Sequence, residues 1–68
     1  METKDIQSAL LQLGIRIQDE MAEYILAQST AHSKQTGGKL AVLGGDARTG
    51  VPVRRVIPIS ELMAVASA

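Results

Sequence analysis

Ile6, Leu10, Leu13, Ile17, Met21 and Tyr24 recur at steps of three or four, the spacing that lines up side chains on one helical face. Leu11, Ile15, Ile25 and Leu26 add a second strip. An apolar surface that wide implies burial on more than one side. Thr3 fits the N-cap position, with Asp5 in a first turn favoured by the helix dipole. Gly14 costs about 1 kcal/mol inside a helix. Residues 1–35 therefore read as one bent helix or as two, the second capped by Asp19. Residues 28–35 turn polar, and Gly37-Gly38 stops the helical pattern.

The pattern then changes period. Residues 1–35 hold one glycine and no proline, whereas five glycines and both prolines come after them. Lys39 to Leu43 reads as a short apolar strand, Gly44 to Gly50 as a turn and Val51 to Ile57 as a second strand. Pro52 cannot donate to a ladder, so it belongs at a strand start or an edge. Alternation puts Val51, Val53 and Arg55 on one face and Arg54 and Val56 on the other. Pro58 ends the strand, and Ser60 caps a last helix from Glu61 to about Ala66. Leu62, Met63 and Val65 there offer apolar cover for the hairpin. The expected fold class is α+β in one small domain, residues 1–68: a helical region over 1–35, a β-hairpin over 39–57 and a short helix over 59–66.

Composition bears on how such a chain is stabilised. It has 68 residues, no cysteine and a single aromatic, Tyr24. A domain of this size buries only about 60% of the surface its unfolded chain exposes. Phe and Trp, the largest contributors to small cores, are absent. Without thiols there is no disulfide, and the lone His32 makes a metal site or other cofactor unexpected. Self-association or docking on a larger protein is the remaining supplement. Neither a signal pattern nor an apolar run of roughly 18–20 residues is visible, so the expected place is the cytoplasm, with no membrane partner.

Charge is uneven although the formal net charge is zero. Residues 1–30 carry five acids and two bases, and residues 31–68 carry five bases and two acids. The simple reading is screening within one domain. The sharper one is that the acidic helix of one subunit meets the basic hairpin of another. Such complementarity sets orientation more than affinity.

The candidate chemistry is thin. Ser29 and His32 are placed to touch on a helix, but no orienting acid or oxyanion hole accompanies them. Gly45 to Gly50 has the spacing of a phosphate loop, yet Val51-Pro52 stands where Lys-Ser or Lys-Thr is needed. Asp19, Glu20 and Glu23 read as a solvated helix face, with Arg16 within pairing distance of the first two. No catalytic constellation results, and an enzyme is not expected. Arg48, Arg54 and Arg55, with Lys39, make the hairpin basic, and two-stranded ribbons do enter DNA grooves. DNA contact through those arginines is the alternative function.

Thr36-Gly37-Gly38-Lys39-Leu40-Ala41, Gly45-Asp46 and Val56-Ile57-Pro58-Ile59-Ser60-Glu61-Leu62 together resemble the small head–tail joining proteins of tailed bacteriophages. Those proteins pair a helix, a hairpin and a second helix, and insert as rings between portal and tail. Arg54-Arg55-Val56-Ile57-Pro58 before a short helix also resembles the end of a histone fold. That fold's central helix would have to hold Gly37, Gly38, Gly44 and Gly45, at about 4 kcal/mol relative to alanine. The first resemblance implies a non-enzymatic structural or adaptor protein of a phage particle, in the host cytoplasm or the virion. It would act through self-assembly or docking, with Ile6, Leu10, Leu13, Ile17, Met21 and Tyr24 as the expected contact stripe.

Overall fold

The computed structural model describes residues 2–31 and 38–67. Its elements run α1 (Thr3–Gln12), β1 (Ile15–Arg16), α2 (Asp19–Ala31), β2 (Lys39–Asp46), β3 (Pro52–Pro58) and α3 (Ile59–Ser67). The strands form one antiparallel sheet in the order β1-β2-β3. The fold class is α+β with three helices.

Glu2, not Thr3, is the N-cap of α1. The Asp5 carboxylate accepts the Glu2 backbone N–H at 2.8 Å, the reciprocal half of a capping box. Thr3 is instead the first helical residue. The helix closes where the Leu13 N–H donates to Ala9 and Leu10 and the Gly14 N–H donates to Leu11. Gly14 then takes φ +89°, a conformation that favours glycine, and the chain leaves the helix. The helical region is thus split.

Beyond Gly14 the chain forms a strand. Ile15 and Ile17 are buried while Arg16 between them is exposed, a period of two rather than of a helix. The expected continuous stripe through Leu13, Ile17 and Met21 is therefore broken. α2 begins at Asp19, and the Ala22 N–H donates to the Gln18 carbonyl at 3.0 Å. Gln18 thus precedes the first turn and Asp19 lies within it, so Asp19 is not the cap. Its carboxylate accepts from Gln7 Nε2 at 2.8 Å, tying α2 to α1.

β2 runs three residues past its expected end, through Gly44, Gly45 and Asp46. Ile15 pairs with Asp46 and Arg16 with Gly45. A Cβ on Gly44 would lie 2.5 Å from the Arg16 carbonyl oxygen and 2.9 Å from both Ile15 Cγ2 and Ile17 Cγ2. Gly44 is in the strand because β1 passes over it. The loop is narrower than expected. The Gly50 N–H donates to the Asp46 carbonyl and the Asp46 N–H to the Val51 carbonyl, both at 2.8 Å. Gly50 and Val51 together oppose Asp46, the two-against-one count of a bulge with glycine at positive φ, here +78°. That extra residue moves the strand start from Val51 to Pro52.

β3 ends at Pro58 and α3 begins at the next residue. The Ile59 N–H donates to the Gly38 carbonyl at 2.9 Å. Ser60 is consequently inside the helix instead of capping it, and α3 runs to Ser67. The core fills the space between sheet and helices. Ile6, Ala9 and Leu10 of α1, Ala22 and Ile25 of α2, and Ile59 and Leu62 of α3 meet Ile15, Ile17, Leu40, Val42 and Ile57. All are aliphatic, as the composition requires.

One polar contact locks α1 to the hairpin. Arg55 Nη1 donates to the Leu13 carbonyl at 2.7 Å. A guanidinium at a helix C-terminus satisfies an orphan carbonyl and complements the dipole. Arg55→Met should lower unfolding free energy by about 1 kcal/mol, read by urea denaturation, with Arg54→Met as the near-neutral control.

Candidate docking face

The inner face of the hairpin carries Leu40, Val42, Gly44, Val53, Arg55 and Ile57. The outer face carries the alternate residues, in cross-strand pairs Ala41–Val56, Leu43–Arg54 and Gly45–Pro52. Arg16 of β1 pairs with Gly45 and extends the outer row. Leu43 is 54% and Val56 57% exposed. The run Leu40-Ala41-Val42-Leu43 therefore has apolar side chains on both faces of one strand. An antiparallel strand with one solvated face normally alternates apolar and polar residues, and this run does not.

α2 forms a wall beside this floor. Met21 and Tyr24 line a depression of about 430 Å³ with Ala41, Leu43 and Arg54. The same two residues and Leu43 continue into a larger groove of about 900 Å³ reaching Arg16, Glu20, Gly45, Arg48 and Pro52. Tyr24, the only aromatic, is 53% exposed at their junction. The surface is an apolar centre of Leu43, Met21, Tyr24 and Val56 with arginines along its margin. Tyr, Met and Arg are the residue types enriched in protein interfaces.

The far end of the groove is rigidified by Asp46. Its Oδ1 accepts the Arg48 N–H at 2.7 Å and the Thr49 N–H at 3.1 Å, and Thr49 Oγ1 accepts the Val51 N–H at 3.2 Å. The Arg48 backbone bond, then the Thr49 bond, holds the Asp46 carboxyl below its ordinary value. A carboxylate with a depressed folded pKa contributes stability that is complete above the unfolded value, about 4. That contribution is lost as pH falls through the lower folded value. Asp46→Asn should therefore show a shallower acid loss of stability than the parent below about pH 4, measured by thermal unfolding across pH.

The expected contact stripe is largely internal. Ile6 and Leu10 are fully buried and Ile17 nearly so, while Leu13 and Met21 are half-buried against the core. Among the six, Tyr24 alone is exposed. α1 spends Ile6 and Leu10 on the core and leaves Leu11 exposed. The basic set also divides. Arg48 and Arg54 border the outer groove, whereas Arg55 belongs to the inner face and is bonded to Leu13. Arg16, read from sequence as a helical partner of Asp19 and Glu20, joins the groove instead.

Ser29 is buried, and its hydroxyl has no hydrogen-bond partner among the described residues. Its expected neighbour His32 lies outside the described residues. Among the described residues, no group of three His, Cys, Asp or Glu side chains is placed to hold a metal ion. No described helix is long and apolar enough to cross a membrane. No family model, curated protein or solved structure matches the chain.

Proposed function

We propose that the chain is a small non-enzymatic assembly or adaptor protein that works by docking its outer sheet face against protein. The observation that carries this is the apolar centre on that face, where Tyr24, Leu43 and Val56 are each more than half exposed. Solvent-facing apolar residues gathered on one walled face mark an interaction site more strongly than residues scattered singly. The resemblance to phage head–tail joining proteins fits such a role in particle assembly, in the virion or the host cytoplasm. The DNA-binding alternative retains Arg48 and Arg54 but loses Arg55, whose guanidinium serves α1.

The test is photo-crosslinking in cells that express the full chain. A benzophenone side chain is placed at Leu43, with Lys4, an exposed residue of α1, as the control position. A protein adduct at position 43 and none at position 4 supports the docking reading. An adduct to nucleic acid at position 43, or no adduct there, overturns it.

A further inference from the structure

We propose that the occupant of this face is an acidic segment of a different protein, one that sets an apolar side chain between two carboxylates. The inference rests on the docking reading and names the chemistry of its partner. The apolar middle is made by Met21, Tyr24 and Leu43, which line both the smaller depression and the larger groove. Arginines stand at the two ends. Arg54 lines the depression, while Arg16 and Arg48 line the groove beyond it. All three are exposed, and none of their guanidinium groups makes a hydrogen bond among the described residues. A guanidinium is matched by a carboxylate or a phosphate, which takes two parallel N–H donors.

Two acids share the groove, Glu20 and Asp46. Asp46 is already engaged: its carboxylate accepts the Arg48 and Thr49 N–H groups, and the positive charge of Arg55 acts on it as well. The other acids of α2 lie elsewhere, Asp19 bonded to Gln7 and Glu23 lining neither cavity. Glu20 alone then stands against three arginines, and the face attracts negative charge. Two copies meeting here would supply one glutamate for three arginines each, so that contact is weak and confined to high concentration. The spacing suits a short peptide. Arg54 pairs with Leu43 and Arg16 with Gly45. Two residues along β2 and two strand spacings across it put the two arginine Cα atoms about 12 Å apart. An extended peptide covers that distance in about four residues, so acids at that separation reach both ends while an apolar side chain between them meets Leu43 and Tyr24. Phosphate suits the arginines but not the centre. A nucleic-acid strand carries charge at every nucleotide, past Glu20 and over the apolar middle, whereas a peptide confines its charge to the ends.

The probe is a library of random decapeptides, one sequence per bead, screened with the fluorescently labelled full chain at low salt. The sequences that bind should carry Asp or Glu on both sides of a large apolar residue. Fluorescence anisotropy then reads the affinity of those peptides for the parent and for Arg16→Glu combined with Arg54→Glu, with circular dichroism confirming that the variant is folded. The charge reversal should weaken binding at least tenfold, and a screen repeated with the variant should favour Lys and Arg instead. Neutral or basic sequences on the parent, no binding sequence at all, or acidic peptides indifferent to the reversal overturn the inference. So does tighter binding of a single-stranded or duplex oligonucleotide than of any acidic peptide. A protein adduct at position 43 beside a failed screen leaves the docking reading standing with a partner of other chemistry. A failed screen without a protein adduct at position 43 removes both.

Discussion

Gly44→Ala should cost the fold about 3 kcal/mol, the upper range for overpacking a tight site. The added Cβ would sit 2.5 Å from the Arg16 carbonyl oxygen, a backbone atom that cannot rotate away. Two further contacts at 2.9 Å come from the branched methyls of Ile15 and Ile17, which are themselves buried. Relief requires β1 to lift off β2, which exposes both isoleucines. Glycine-to-alanine changes at unstrained sites gain about 0.4–1 kcal/mol from the unfolded state, too little to offset the clash. A domain of this length has a total stability of roughly 3–10 kcal/mol, so the variant loses about a third of it or more. Gly45→Ala is the matched control. Its Cβ would meet nothing closer than 3.4 Å, an ordinary contact with the Gly50 carbonyl, and its urea midpoint should stay close to the parent's.

Leu10→Ala should cost about 3 kcal/mol, because it opens a cavity in a core with few side chains able to refill it. Leu10 is fully buried among aliphatic neighbours from all three helices and the sheet. Leu43→Ala, on the outer face, should change the stability of the isolated chain by under about 0.5 kcal/mol. The pair separates folding from docking. Urea denaturation at low protein concentration reads the first effect, and association measurements read the second. Equal stability losses at the two positions would mean that Leu43 is as much a core residue as Leu10.

These contrasts show what the sequence could and could not reveal. The order of helices, hairpin and final helix came from composition and period, because Gly14 and Gly37-Gly38 punctuate apolar runs of different repeat. β1 was hidden because Leu13, Ile17 and Met21 keep a helical step while Ile15 and Ile17 also alternate. Only pairing with Gly45 and Asp46, some thirty residues on, decides between the two periods. Gly44 and Gly45 read as turn residues because a close approach by a distant strand leaves no local mark. The alternation that separates Arg54 from Arg55 was legible, but the partner of Arg55 is 42 residues away.

The site was the less legible part. A helical stripe of apolar residues is the same signal whether it faces its own core or a neighbour. Here the two stripe residues on α1, Ile6 and Leu10, face its own core. The outer face did carry one local sign, the unbroken apolar run Leu40-Ala41-Val42-Leu43. Its meaning depended on knowing that helices cover one side of the sheet only.

The most direct measurement is a dilution series of the ¹⁵N-labelled full chain monitored by amide resonances. Concentration-dependent shifts should concentrate at Met21, Tyr24, Ala41, Leu43, Arg54 and Val56, with α1 and α3 unmoved. Shifts confined to α1 would contradict a docking face on the outer sheet, and no change at any residue across the series would exclude self-association through it.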